Sequence, residues 1–372
     1  MDRPDTQATM TRVGLLDRSS RPAHRRASSL FSPRRLIVVA VLVAPLVAGE
    51  IGVRALIATH QLPIAAAHQA AIEVAWTNHD QQGPTDILIL GDSLARMGIH
   101  PRTLAGLAEG AAGRPVTAYN LSAPGTGFPV YRAFLEQLGR ERRLPKVVVI
   151  GISTVGLQRS DEQSARALHS PFGRLVSNCS MVAGVEETLS CRLESVSALW
   201  RWRGQPTRLA EALVASVPAA LVDGGITLEV DGYASSLPMR PKTLDRQLAL
   251  ALQNLPPLAN ADPNVQEYID LVDAAWSRGV RVVSVLVPYS PPLEDALEAR
   301  EPGWRAHRTS MLERLGEQAG QPILDNGPLN PWTVHDSHDT RHFSLPGAQR
   351  FTQQLWQTRA FRKVIVEAVR GP

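Results

Sequence analysis

Cysteine is nearly absent from this chain: Cys179 and Cys191 are the only two in 372 residues. That excludes a disulfide-framework fold and a multi-cysteine zinc module, and the pair has neither CxxC spacing nor companion histidines at zinc-like separation. In an oxidising compartment the two are expected to form one disulfide; the alternative is a pair of unlinked, buried thiols. Aromatic residues are also scarce, at 5%, and nowhere do they alternate with basic residues as on RNA-binding surfaces. Charge of one sign is missing from most of the chain. The formal net charge is +4, and Arg21, Arg25, Arg26, Arg34 and Arg35 crowd the first few dozen residues. The remainder is close to neutral, so no nucleic-acid partner is expected. No internal repeat is visible.

What is present is enough apolar material, 44%, for one large domain with an insertion. The polar, Arg- and Ser-rich stretch 1–35 reads as a disordered basic tail. From Leu36 to Gly49 the chain carries no charge. Glu50 ends that run and Ile51–Ala58 resumes it around Arg54. A spanning helix needs about 20 residues, which 36–58 supplies if Glu50 and Arg54 are tolerated. Four residues apart, they share a helix face and can pair. Small-residue cleavage sites such as Ala65-Ala66-Ala67 lie far from the apolar run. The segment 36–58 is therefore read as an uncleaved transmembrane signal anchor. The arginines stay on the cytoplasmic side and the rest faces outward.

Residues 59–84 read as an alanine-rich helical stalk or linker stopped by Gly83-Pro84. Buried-strand patterns then alternate with helical ones. Strands are expected at Ile87–Leu90, Val116–Asn120, Lys146–Ile150, Val280–Val287 and Pro322–Leu324. Helices are expected at Pro101–Glu109, Pro129–Gly139, Val265–Arg278, within Gly303–Gly320, and at Pro346–Val369. Such alternation predicts an α/β fold, with a mostly parallel five-stranded sheet covered on both faces. The stretch of about 158–263 breaks the rhythm. It is read as an insertion in the 85–372 domain, either a cap over the site or a decoration without a chemical role. Trp200-Arg201-Trp202-Arg203 within it reads as a cap or membrane-proximal surface.

The first expected strand runs into Gly91-Asp92-Ser93-Leu94. A serine on a tight turn after a buried strand stands at the carboxyl edge of the sheet, where open α/β folds keep their ligand sites. Near the C-terminus, Asp339-Thr340-Arg341-His342 supplies a base and an orienting carboxylate. Asp92 reads as a turn and helix-cap residue. His335, Asp336 and His338 share the loop with His342 without regular ligand spacing. No metal or cofactor is expected.

Gly91-Asp92-Ser93-Leu94 together with Asp339-x-x-His342 resembles the GDSL/SGNH hydrolase superfamily, over roughly Asp86 to Phe361 apart from the insertion. The resemblance implies a flavodoxin-like three-layer sandwich with Ser93, His342 and Asp339 as a catalytic triad. It implies oxyanion binding by the amides of Ser93 and Gly125, the latter in Asn120-Leu-Ser-Ala-Pro-Gly-Thr-Gly127. The third block departs from the pattern. Gly151-Ile-Ser-Thr-Val-Gly156 lacks the usual oxyanion-donating asparagine, and Ser153, Thr154 or Asn120 stand as substitutes, or the donor is absent. Arg96 is a candidate for an anionic substrate group or an ordinary surface or salt-bridged arginine. Tyr289, with Pro288, is a candidate for the pocket lining.

The family branch that this chain resembles, that of membrane-anchored envelope proteins, implies an esterase or O-acyltransferase acting on acylated envelope glycan or lipid. It also implies an integral-membrane partner that delivers the acyl group. The rival expectation is a non-catalytic glycan-binding or assembly protein of the same fold.

Overall fold

The computed structural model describes residues 33–58, 76, 78–157, 192–193, 197, 200, 226–229, 231–258 and 265–371. Two units divide the chain, Met1–Val47 and Ala48–Pro372, and the sheet belongs to the second. Both cysteines, and with them the expected disulfide, lie outside the described residues, as do the basic tail, most of the stalk and much of the insertion.

Helix α1, Pro33–Ala58, occupies the expected anchor segment, with Pro45 inside it. Arg54 Nε donates to Glu50 Oε1 at 2.6 Å, the pairing that the four-residue spacing predicts. Among the described residues no helix is long and apolar enough to cross a membrane, so anchoring stays an inference from the sequence.

The sheet is built from β1 (Ile87–Gly91), β2 (Ala118–Asn120), β3 (Val147–Ile152), β6 (Arg281–Leu286) and β7 (Ile323–Leu324). Their order is β2-β1-β3-β6-β7, and every pairing is parallel. A parallel sheet with helices on both faces buries each central strand on both sides, so its sequence is a continuous apolar run. Ile87-Leu-Ile-Leu90 and Val147-Val-Val-Ile150 are such runs, and all eight side chains are buried. A separate antiparallel hairpin pairs β4 (Ile226–Leu228) with β5 (Ala234–Ser236).

The further α-helices among the described residues are α2 (Ser93–Gly98), α3 (Pro101–Ala112), α4 (Phe128–Arg140), α5 (Thr154–Leu157), α6 (Leu244–Asn254), α7 (Val265–Trp276), α8 (Pro291–Arg300), α9 (Trp304–Gln318), α10 (Leu345–Gln357) and α11 (Arg359–Arg370). Helices α3, α10 and α11 pack together in one group, with α11 against β3 and β6; α4, α7 and α9 form another, with α4 against β1 and α7 against β6.

Three expectations need correction. The closing helix is two helices. Thr358 adopts an extended conformation (φ −70°, ψ 115°) between them, and its hydroxyl accepts a 2.7 Å hydrogen bond from Asn326 Nδ2, a tertiary contact that outweighs the local helical pattern. Helix α8, which carries two prolines in its first turn, was not foreseen. The end of the expected stalk also belongs to the folded unit: Trp76 is buried with its ring 5.6 Å from that of Phe134, and His79 lies edge-on to Tyr119 at 4.9 Å. Burial first, then the Arg143 charge, lowers the His79 pKa to about 4.

Candidate active site

Strand β1 ends in Gly91, opposite Gly151 of β3. Any Cβ on Gly91 would stand 2.4 Å from Ala95 Cβ and 2.6 Å from the Gly151 carbonyl oxygen, and one on Gly151 would also stand 2.4 Å from Ala95 Cβ. The two bare backbones let α2 lie directly on the sheet, which fixes where Ser93, its first residue, stands. Asp92 caps this helix, with Oδ1 accepting the Leu94 N–H at 2.9 Å. Its Oδ2 accepts the Ser153 hydroxyl, and Ser153 Oγ in turn accepts the Gly156 N–H at 2.8 Å.

The other half of the site is a tightly closed loop. Thr333 and Asp336 form a reciprocal capping box around the 3₁₀ turn Val334–Asp336. Arg350 Nη1 donates to both oxygens of the Asp336 carboxylate at 2.6 Å. Ser337 and Phe343 form an isolated antiparallel bridge, and the His338 N–H donates to the His342 carbonyl at 2.9 Å. Asp339 and His342 sit inside this closure. Ser344, the N-cap of α10, then starts the next helix.

The two halves meet. Ser93 Oγ is 2.9 Å from His342 Nε2, across 249 positions of sequence. His342 Nδ1 is 2.9 Å from Asp339 Oδ2. Asp339 Oδ1 accepts the Arg341 and His342 amides at 2.7 and 2.8 Å. An ionised carboxylate only accepts, so the ring proton belongs on Nδ1. That leaves Nε2 to accept from the Ser93 hydroxyl. Burial alone would raise the Asp339 carboxyl. The His342 charge, its ring N–H and the two amides outweigh that and hold it well below the usual carboxylate range.

A folded-state pKa held below its unfolded value adds stability that is present above the unfolded value, about 3.9, and is lost as pH falls below it. Asp339→Asn is therefore expected to unfold at lower urea concentration than the parent at pH 7. The gap should narrow below about pH 4. A gap that stays constant down to pH 3 would show that the carboxylate charge contributes nothing.

The remaining candidates are placed as follows. Gly125 is exposed and has φ +72°. It sits third in the turn Ala123-Pro124-Gly125-Thr126, closed by the Thr126 N–H to the Ala123 carbonyl at 3.2 Å. A positive φ after proline is what a type II turn asks of glycine. Asn120 is not an oxyanion donor. Its Nδ2 donates to the Ala95 and Ile99 carbonyls at 3.1 and 3.0 Å, with a longer approach of 3.4 Å to Arg96, and its Oδ1 accepts the Ser122 N–H at 3.1 Å. The side chain ties down the carbonyls that the end of a helix leaves over, and so holds α2 from behind. Ser153 is not a free donor either, because its hydroxyl hydrogen goes to Asp92.

Arg96 is buried at 3% exposure, since α2 lies flat on the sheet, and it presents no surface guanidinium to an anion. Burial lowers its pKa to about 10, with Tyr119 working the other way. Tyr289 is also buried, its ring 6.3 Å from that of Trp304 at 24°. At 3% exposure it does not line an open wall. Burial, then the nearby Asp92 charge, pushes its hydroxyl pKa up, with Arg341 opposing.

Two features escaped the sequence reading. Arg341, between Asp339 and His342 in sequence, donates its amide to the Asp339 carboxylate, and its charge lowers the Tyr289 pKa where that of Asp92 raises it. The described part of the insertion is stitched to the site. The Asn120 N–H donates to the Asp231 carbonyl at 2.9 Å and the Met239 N–H to the Ser337 carbonyl at 2.6 Å. Tyr233 Oη donates to the Met97 carbonyl at 3.2 Å and Ser236 Oγ to the Phe343 carbonyl at 3.3 Å. Nothing local in the sequence announces the hairpin. His338 Nδ1 lies 3.2 Å from the Leu237 carbonyl oxygen, and among the described residues no group of three or more His, Cys, Asp or Glu side chains is arranged to hold a metal ion.

No protein-family model matches the chain, and no curated protein matches it in sequence.

Proposed function

We propose that this chain is a serine enzyme of ester chemistry, an esterase or O-acyltransferase, held at a membrane by α1 with the α/β domain on the outer side. The observation that carries the reading is the unbroken chain of contacts from Ser93 Oγ to His342 Nε2, and from His342 Nδ1 to Asp339 Oδ2, at 2.9 Å each. Such a chain activates a hydroxyl that is a poor nucleophile at its own pKa. Ser93 Oγ attacks the acyl carbonyl while its proton passes to His342 Nε2. Asp339 holds the ring in the right tautomer and stabilises the imidazolium. The amides of Ser93 and Gly125 face the developing oxyanion. Collapse expels the alkoxide, which takes the proton from His342 and leaves Ser93 acylated. A water or a carbohydrate hydroxyl then gives its proton to His342 and removes the acyl group. In the transferase version an integral-membrane partner supplies the acyl group.

The strand order and the two helical layers support reading the domain as a flavodoxin-like sandwich of the GDSL/SGNH kind. Tethering is supported by α1 itself: Ile37, Val41, Leu46 and Ile51 are each at least 60% exposed along it, large apolar side chains that water alone does not favour. An acylated envelope glycan or lipid is the substrate class that a tethered site meets first.

The second reading, a binding or assembly protein, is favoured by one observation: Asn120 and Ser153 are both committed elsewhere, so neither replaces the third-block donor. A fluorophosphonate probe separates the two readings. Attack by Ser93 Oγ forms a P–O bond, fluoride leaves, and His342 takes the proton. The full chain in detergent is expected to gain one phosphonyl adduct, mapped to Ser93 by peptide mass spectrometry. His342→Ala should slow labelling by about 10²-fold or more. Absence of any adduct on Ser93, under conditions that label an ordinary serine hydrolase, would favour the binding reading.

A further inference from the structure

The carboxyl rim of the sheet also carries a concavity. The loop after β7, the start of α8 and the end of α10 enclose a trough of about 740 Å³, a size that suits a small organic ligand. Loops after β6 and β7 lie where ligands gather in sheets of this type. The trough is also joined to the triad loop. Trp332, in its wall, donates its indole N–H to Ser337 Oγ at 3.1 Å, and Ser337 is one half of the bridge that closes around Asp339 and His342. Ser290, just before the two prolines of the opposite wall, donates its hydroxyl to the Thr340 carbonyl at 2.8 Å.

The lining chemistry narrows the ligand. Among the described residues no lysine, arginine or histidine lines the trough, which disfavours phosphate and carboxylate groups. Its one acid, Asp295, is already paired with Arg305 at 2.6 Å. The polar lining is instead Asn326, Asn330, Gln354 and Gln357. A primary amide both donates and accepts, as a sugar hydroxyl does. Gln354 Nε2 donates to the Asn326 carbonyl at 2.9 Å, which stiffens that wall. The Asn330 and Gln357 side chains make no hydrogen bond among the described residues. Trp332 completes the lining; with its N–H already used, what the ring adds for a ligand is aromatic surface, which suits the weakly positive C–H side of a pyranose.

We propose that this trough is a saccharide subsite that holds a short run of neutral sugar rings beside the triad. That the bound sugar carries or receives the acyl group rests on the proposed ester chemistry; that the trough binds sugar does not.

The test is calorimetric titration of the full chain in detergent, as Ser93→Ala to prevent turnover, with cellotetraose, maltotetraose and N-acetylchitotetraose, and with tetragalacturonate as the acidic control. At least one neutral tetrasaccharide is expected to bind in the millimolar range or tighter. Trp332→Ala should weaken it about tenfold or more, and the surface double variant Asn330→Ala/Gln357→Ala should weaken it several-fold. If Trp332→Ala fails to fold, the double variant decides. No neutral sugar binding at millimolar concentration, binding of the acidic sugar alone, or unchanged affinity in the variants would each overturn the subsite. Sugar binding without a fluorophosphonate adduct on Ser93 would keep the subsite and remove the esterase; the reverse pattern would do the opposite.

Discussion

Ser93→Ala is expected to lower kcat/KM for p-nitrophenyl acetate by about four orders of magnitude or more. The size follows from the proposed triad mechanism. Removing the hydroxyl removes the covalent route entirely, and whatever remains comes from oxyanion binding and general positioning. His342→Ala should cost a similar factor, because without a base the hydroxyl keeps its proton. The pair Ser93→Ala/His342→Ala should then be scarcely worse than either alone, since the two act as one unit. Asp339→Asn should fall by a comparable order, as an amide at that position no longer demands the proton on His342 Nδ1. The measurement is steady-state hydrolysis by the parent and the four variants, with circular dichroism to confirm the fold. Multiplicative losses in the double variant would mean that the 2.9 Å contact between Ser93 and His342 is not used in a shared step. Adding a neutral sugar to the parent assay separates the two acceptors: transfer exceeding hydrolysis marks the transferase.

The second large effect concerns packing at the base of the triad loop. Gly347, in the first turn of α10, has no room for a side chain: a Cβ there would stand 1.8 Å from the Asp336 carbonyl oxygen. That oxygen also accepts the Ser344 N–H at 3.0 Å, so relieving the clash means moving the turn that begins the triad loop. Gly347→Ala is expected to destabilise the protein by about 3 kcal/mol or more and to displace Asp339 and His342 from Ser93. Stability by urea unfolding and esterase activity should fall together. Gly106→Ala is the internal control. Gly106 lies within α3 with nothing within 4 Å of a built Cβ, so alanine there should stabilise by about 0.5–1 kcal/mol through helix propensity. If Gly347→Ala is as stable as the parent, the tight approach of α10 to the 3₁₀ turn is not a constraint on the fold.

Much of this architecture was written locally. Buried strands flanked by others are apolar on both faces, so Ile87–Leu90, Val147–Ile150 and the β6 run stand out without any tertiary knowledge. Gly91-Asp92-Ser93 and Asp339-x-x-His342 also stand out, because a helix cap, a tight turn and a short carboxylate–imidazole spacing are local chemistry. What was not legible depends on contacts between distant segments. The Asn120 amide has more than enough groups to serve as an oxyanion donor on paper, yet the end of α2 claims them. Ser153 could have replaced the missing asparagine, yet it completes the hydrogen bonding of Asp92. Arg96 looked like a surface cation because nothing in its neighbours says that α2 lies flat on two glycines. The break at Thr358 needed Asn326, and the hairpin needed Met97, Ser337 and Phe343, none of which a local pattern can supply.

The long sequence interval between nucleophile and base has a consequence in time. A ribosome that has just made Ser93 must add 249 more residues before His342 exists, roughly 10–50 s at ordinary elongation rates. On the proposed ester chemistry the serine is chemically ordinary throughout that interval, so a nascent or prematurely terminated chain would carry no live nucleophile, and the hydroxyl would become reactive only once the segment bearing His342 has docked.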